Sequence, residues 1–249
     1  TDDKVSMLLW EDFVNTDGQK EKATLILSSP DKDLLNTPGW HYFPKTGQLQ
    51  WITDTQARRH FLYQLVMGDR VDNVTGLPQV DKGYAFRMGL GTPPRNGCGK
   101  VWAKKIMNLN PDVVESEINV YRAYHAMGKG AGWSEDQTRS YLEDQGRLLW
   151  MLREVDPYGE PVMWNVSEEM WNVARRREAE DCGDHRLQEE EGGAEAGGTN
   201  SSGDARTYEE RLSEERARSL EGGSPSSLGD DATRWLNRQH ADADGGDSP

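Results

Sequence analysis

Three short stretches carry residue types that could do chemistry. They are Asp31-Lys32-Asp33, which follows an apolar run ending in Ser29-Pro30; Gly68-Asp69-Arg70-Val71-Asp72-Asn73-Val74; and Gly97-Cys98-Gly99-Lys100, with Lys104 and Lys105 beyond it. Carboxylates at i,i+2 after a strand can point the same way, and ligands bind beyond the carboxyl ends of strands in open α/β sheets. Asp69 and Asp72, at i,i+3, share a face of a helical turn. Asp2 and Asp3 add an acidic pair at the start of another helix. These six oxygen donors, with no His/Cys cluster, suit a hard cation such as Mg²⁺ or Mn²⁺ rather than zinc. Two such ions about 3.5–4 Å apart would hold the attacking water and the leaving oxygen of a phosphodiester in line. Gly97 and Gly99 let the backbone turn tightly and approach a phosphate, to which the N–H groups opening the next helix can donate. Lys100, Lys104 and Lys105 add positive charge without base specificity.

Each stretch also has a plainer reading. Asp31 and Asp33 can cap a helix or form a turn; Asp69 and Asp72 can be a cap and a solvated turn; Gly97–Gly99 can be an ordinary tight turn. Cys98 reads as a small apolar residue at its tip, not a nucleophile. His41, His60, His125, His185 and His240 are scattered and read as surface or packing residues.

The elements that must position these residues follow from periodicity and punctuation. Residues 3–14 predict a short helix with an apolar face, residues 16–22 a polar turn, and Ala23–Leu27 a buried strand. Trp40–Phe43 and Gln48–Thr53 flank Lys45-Thr46-Gly47 as a hairpin. Asp54–Met67 predicts a helix capped by Thr53, with Ala57, Phe61, Leu62, Leu65 and Val66 at helical spacing. Gln79–Asn96, rich in Gly and Pro, reads as a loop. Trp102–Leu109, Asp112–Met127 and Ser134–Val155 predict helices, and Glu160–Trp164 a short closing strand.

Charge is uneven along the 249 residues. From Ala179 onward there are 18 acidic and 7 basic residues, which leaves 25 and 22 in residues 1–178. The acidic pI therefore does not argue against a nucleic-acid partner for the body, which is near neutral. From Ala179 the chain is rich in Gly, Ser, Glu, Asp and Arg, with Tyr208 and Trp235 its only aromatics. Such a segment cannot offset a backbone entropy cost of roughly 1–2 kcal/mol per residue, so residues 179–249 are expected to be disordered, with transient helix at Tyr208–Leu220. Cys98 and Cys182 form neither a disulfide framework nor a zinc pattern, which fits a reducing cytoplasm. No apolar run of about 18 residues predicts a membrane span, and no signal peptide is visible.

In order, these motifs resemble the 5′→3′ exonuclease and flap-endonuclease family, specifically its bacteriophage branch. The family pattern is Glu-Ala-Asp-Asp opening a helix, a strand ending in Asp-Lys-Asp-Leu, Gly-Asp-x-x-Asp-Asn-(Ile/Val), and a Gly-hydrophobic-Pro-Gly-hydrophobic-Gly hairpin. Thr1-Asp2-Asp3, Asp31-Lys32-Asp33-Leu34 and Gly68–Val74 resemble the first three. Gly76-Leu77-Pro78 begins the fourth, and Gly97-Cys98-Gly99-Lys100-Val101-Trp102-Ala103 completes it after the insertion Gln79–Asn96. The stretch from Asp33-Leu34-Leu35 through Pro38-Gly39-Trp40-His41-Tyr42, and Gly146–Arg153, also look phage-like, and the resemblance covers roughly residues 1–165.

The resemblance implies an α/β fold. Residues 1–75 would be the C-terminal half of a PIN-like nuclease domain. Residues 76–165 would be a helix–hairpin–helix region that grips the backbone of duplex DNA, and the disordered acidic tail, 179–249, would follow. It implies a Mg²⁺- or Mn²⁺-dependent enzyme with two ions on Asp2, Asp3, Asp31, Asp33, Asp69 and Asp72, and DNA contacts at Gly97, Cys98, Gly99, Lys100, Lys104 and Lys105, where K⁺ can sit on carbonyls. Substrates would be DNA 5′ ends or flaps, or RNA–DNA hybrids, in replication, primer removal or DNA degradation by a monomer in the host cytoplasm. The family's Glu would lie just before Thr1, and its helical arch, with the basic residues that position the scissile phosphate, further upstream. The chain is thus expected to be the C-terminal portion of the enzyme. The alternatives are a non-catalytic, structure-specific DNA-binding fragment completed by a separate N-terminal piece, and a PIN-type ribonuclease without the duplex-gripping hairpin.

Overall fold

Seven helices and a small mixed sheet make up residues 2–95 and 97–183, the residues described in the computed structural model. The expected tail falls from residue 184 outside the described residues. The fold is α/β: α1 (Asp2–Asn15), β1 (Ile26–Ser28), a 3-10 turn (Asp33–Asn36), β2 (Gly39–Phe43), β3 (Gln48–Ile52), α2 (Asp54–Met67), α3 (Lys82–Arg87), α4 (Lys100–Met107), α5 (Val113–Ala131), α6 (Glu135–Leu149) and α7 (Glu168–Asp181). Among the described residues, no helix is long and apolar enough to cross a membrane.

The sheet order is β1-β2-β3. β1 runs parallel to β2, with Leu27 opposite His41, and β2 is antiparallel to β3. The hairpin closes where Gly47 N–H donates to the Phe43 carbonyl at 2.8 Å. β1 corrects the sequence reading. It is a short edge strand with Leu27 buried and Ile26 exposed, because α1 covers only one side. Leu9 of α1 packs on Leu27 and Leu34, and Trp10, Phe13, Trp51 and Trp40 form a chain of rings with centroids 5.5–5.8 Å apart that ties α1 to the hairpin.

α2 is the central element. Thr53 and Gln56 close a capping box at its start, which satisfies two backbone donors reciprocally. The helix is buried on nearly all sides because it packs against the 3-10 turn, α4, α5 and α6 together. Arg59, buried, donates to the carbonyls of Met107, Asn110 and Pro111, fixing the connection from α4 to α5.

Four segments differ from the sequence reading. Residues 79–95 of the insertion are not a loop that stands away from the body. Asp81 caps α3, Val80, Tyr84 and Ala85 are fully buried, the Tyr84 hydroxyl donates to the Asn119 carbonyl, and Arg87 pairs with Glu178. Gly and Pro set the turns here, but the apolar residues between them reach the core. α6 stops at Leu149 rather than Val155: the chain turns extended at Trp150, and Arg153 reaches the Asn36 carbonyl. The expected strand Glu160–Trp164 is reduced to a single bridge between Val155 and Pro161. α7 was not anticipated. Ser167 caps it, Trp171 and Ala174 are buried against the body, and it continues through Asp181, past the boundary drawn at Ala179.

His41 provides a pH test of the sheet. Buried on β2, with Nε2 bonded to the Thr37 carbonyl at 2.9 Å, it is pushed down to about 4 by burial. Below its ordinary value the unfolded chain takes up a proton that the folded chain refuses, so the stability it contributes above about pH 6.5 is lost as pH falls toward 4. Between pH 7 and pH 5 the loss is about 2 kcal/mol. Asp33, raised to about 6, works in the opposite sense. Urea unfolding of wild type and His41→Asn at both pH values isolates the histidine: the difference between the two proteins should narrow by about 2 kcal/mol at pH 5.

Candidate metal centre and anion-binding turn

The crossover from β1 to β2 carries the first acidic pair, at the carboxyl end of a parallel strand. The two aspartates divide the work. Asp31 Oδ1 accepts the N–H of Asp33 at 2.9 Å, a local turn bond that starts the 3-10 turn. Asp33 instead faces α2, where the buried Gln64 side chain donates to its Oδ1. Asn36 anchors the far end of the crossover: its side chain donates to the Leu149 carbonyl at 3.0 Å, and its own carbonyl accepts from Arg153. The guanidinium of Arg153, pushed down to about 10 by burial, lies between the Trp10 and Trp150 rings.

The second acidic pair sits in a closed loop after α2. Asp69 N–H donates to Val74 C=O at 2.8 Å, and Val74 N–H returns to Asp69 C=O at 2.7 Å. Asn73 lies in the left-handed region between them. Gly68 makes the corner; the carbonyl oxygens of Val74 and Thr75 lie so close that an added Cβ would meet them at 2.4 and 2.5 Å. This geometry turns the Asp69 carboxylate inward, 3% exposed, where Oδ1 accepts the Val71 N–H and Oδ2 accepts Lys32 Nζ at 2.8 Å.

Asp33, Asp69 and Asp72 each place an oxygen within 4.8 Å of the others. Asp72 is exposed and Asp33 half-buried. Burial, and then the charges of Asp31 and Asp69, push Asp33 up to about 6 against the pull of Lys32 and Gln64. Burial also works to raise Asp69, but the hydrogen bonds from Lys32 and Val71 outweigh it and hold that carboxyl below its ordinary value. Three carboxylates at this spacing fit a small hard cation, whose opposed ligands lie about 4.2 Å apart. Asp2, Asp3 and Asp31 are not in this group. Asp2 and Asp3 lie exposed in the first turn of α1, where Asp3 Oδ1 accepts the Leu152 N–H at 3.2 Å. Lys32 and Gln64 were given no role from sequence. The signals were there: a lysine between two aspartates, and an amide one helical turn before Gly68.

The glycine turn is also assembled from distant parts. Gly97 N–H donates to the Pro78 carbonyl at 2.8 Å, so the ends of the insertion meet. Gly99 is the N-cap of α4, which has no side-chain cap, whereas Thr53, Asp81, Asp112, Ser134 and Ser167 cap α2, α3, α5, α6 and α7. Space around Gly99 is open. The Cys98 side chain is buried and its thiol pushed up to about 12 by that burial, so this residue offers backbone alone. Lys100 and Lys104 are half-buried. Lys105 is already engaged: its Nζ donates to the Leu90 carbonyl at 2.8 Å and sits 4.4 Å from the Trp102 ring centroid, holding the insertion onto α4.

Family profiles, curated proteins and solved structures were each compared with this chain, and none matches it.

Proposed function

We propose that the chain is a phosphodiester hydrolase of the 5′→3′ exonuclease and flap-endonuclease type, with Asp33, Asp69 and Asp72 holding Mg²⁺ or Mn²⁺ and the Gly97–Lys100 turn receiving the backbone of duplex DNA near a 5′ end. In this reading residues 1–75 belong to a PIN-like domain, and the glycine turn with α4 lies in the helix–hairpin–helix region, residues 76–165. The observation that carries it is the convergence of Asp33 from the crossover with Asp69 and Asp72 from the loop after α2, their oxygens within 4.8 Å of one another. The meeting of Pro78 and Gly97 supports the split hairpin, and the open space around Gly99 lets the backbone at the start of α4 come close to a phosphate oxygen.

A bound divalent ion supplies polarisation of the phosphodiester and an activated water. The chain's own residues do the positioning. Gln64 orients Asp33; the closed loop and the Val71 N–H orient Asp69; Asp72 stays open to solvent. The α4 N-terminus would hold a neighbouring phosphate without reading bases.

A second reading, duplex binding without hydrolysis, is favoured by one observation: Asp2 and Asp3 stand outside the carboxylate group. One paired experiment separates metal from DNA binding. Asp69→Ala plus Asp72→Ala should abolish Mn²⁺ binding by calorimetry and any cleavage of a 5′-flap duplex. Gly99→Val should fold normally, because φ is −75° and nothing lies within 4 Å. It should keep Mn²⁺ affinity and weaken duplex binding roughly tenfold, about 1.4 kcal/mol. Unchanged Mn²⁺ binding in the double variant would rule out the metal assignment. Wild-type duplex binding without cleavage at saturating Mn²⁺ would select the second reading.

A further inference from the structure

Asp69 has two carboxylate oxygens with unlike partners. Oδ1 accepts the Val71 N–H, a backbone group locked inside the Asp69–Val74 closed loop. Oδ2 accepts Lys32 Nζ at 2.8 Å, and the lysine side chain is half exposed on its flexible stem while the Asp69 side chain is 2% exposed. A cation that takes Oδ2 crowds the ammonium already there, and of the two partners the ammonium is the one free to move. Asp31 and Asp33 flank Lys32 in sequence and add to its electrostatic attraction, so the ammonium is a shared counter-ion of Asp31, Asp33 and Asp69.

Resting on the metal reading above, we infer that Lys32 is a tethered counter-ion that competes with the divalent cation for Asp69 and is expelled when the metal binds. An ammonium and a dication on the same carboxylate repel each other strongly at such range, and more so where one side is buried. With either occupant the carboxylates face a cation, singly charged with the ammonium and doubly charged with the metal. Metal affinity in the wild-type chain is lower than the carboxylates alone would give, because each ion must break the Lys32–Asp69 pair.

The test is Mn²⁺ titration of the full chain, followed by the electron paramagnetic resonance of free Mn²⁺, for wild type, Lys32→Met and the Asp69→Ala plus Asp72→Ala variant. Lys32→Met should bind Mn²⁺ roughly tenfold more tightly than wild type, or more. In parallel, acetylation of Lys32 in the wild-type chain, read by peptide mass spectrometry, should speed up severalfold at saturating Mn²⁺, with Lys45 and Lys20 unchanged. Wild type that binds Mn²⁺ while Lys32→Met binds it equally or more weakly overturns the exchange and leaves the metal reading standing. Should Lys32→Met fail to fold, acetylation decides: an unaltered Lys32 rate with Mn²⁺ bound overturns the proposal. If neither wild type nor Lys32→Met binds Mn²⁺, the metal reading itself falls, and the inference with it.

Discussion

Gly68→Ala should unfold or nearly unfold the protein, while Gly132→Ala should cost only about 1 kcal/mol. Both glycines have positive φ, 73° and 74°. Gly132 ends α5 in the ordinary left-handed region with open space around it. Gly68 combines its φ with ψ of −179°, a region that is essentially glycine-only and costs about 1–3 kcal/mol for other residues. Its absent Cβ is also filled by carbonyl oxygens of Val74 and Thr75, backbone atoms that cannot swing aside as a side chain would. Together the strain and overlap should reach about 4 kcal/mol or more. Because this corner turns Asp69 inward, the proposed metal site should be lost with it, read as absent Mn²⁺ binding in any folded Gly68→Ala protein. Urea unfolding of the two variants beside wild type checks the contrast. Equal costs at the two sites would mean that the closed loop after α2 does not have this geometry.

Glu178→Ala should destabilise by about 3 kcal/mol or more, whereas Asp181→Ala, one helical turn along, should cost less than about 1 kcal/mol. Glu178 is 2% exposed and joins three elements: Arg87 on α3, Arg122 on α5 at 3.3 Å, and its own α7. Removing it takes the carboxylate away from Arg87 and leaves the almost fully buried Arg122 only the half-exposed Asp181, and an under-compensated buried charge is expensive. Asp181 pairs with the same Arg122 but is about half exposed, so water replaces much of what is lost. The measurement is urea unfolding at pH 7 for both variants. A Glu178→Leu variant adds a check: it restores apolar packing but not the charge, and so should remain well below wild type. The same network explains why excising Gln79–Asn96 should not yield a folded chain, despite the contiguous Gly-Leu-Pro-Gly-Cys-Gly it would create. The insertion supplies Val80, Tyr84 and Ala85 to the core and Arg87 to the buried network.

Local signals were legible where one short stretch holds the whole reason for its structure. Thr53 and Gln56 predict the start of α2 because a capping box is satisfied within four residues. Lys45-Thr46-Gly47 predicts the hairpin turn for the same reason. α7 was equally available: Ser167 followed by Glu168 and Glu169, then Trp171 and Ala174 at helical spacing. The burial of the insertion is not legible locally, because glycine and proline report where a chain turns, not whether the residues between turns are buried. The end of α6 depended on Arg153 reaching Asn36, a contact that no local pattern contains.

For the candidate site, sequence by itself determined the donor chemistry: carboxylates without a histidine or cysteine cluster, a glycine that only one backbone conformation requires, and an acidic loop short enough to close on itself. Tertiary structure alone decided which carboxylates lie together. Asp31 and Asp33 are equivalent as letters two apart, yet one is spent on the turn while the other is taken by Gln64 from a helix that arrives much later in the chain. Lys32 acquires its partner the same way, from across the fold. A carboxylate's spacing along the chain limits where it can point, but its burial, its charge and its neighbours are set by whichever distant element the packing brings against it.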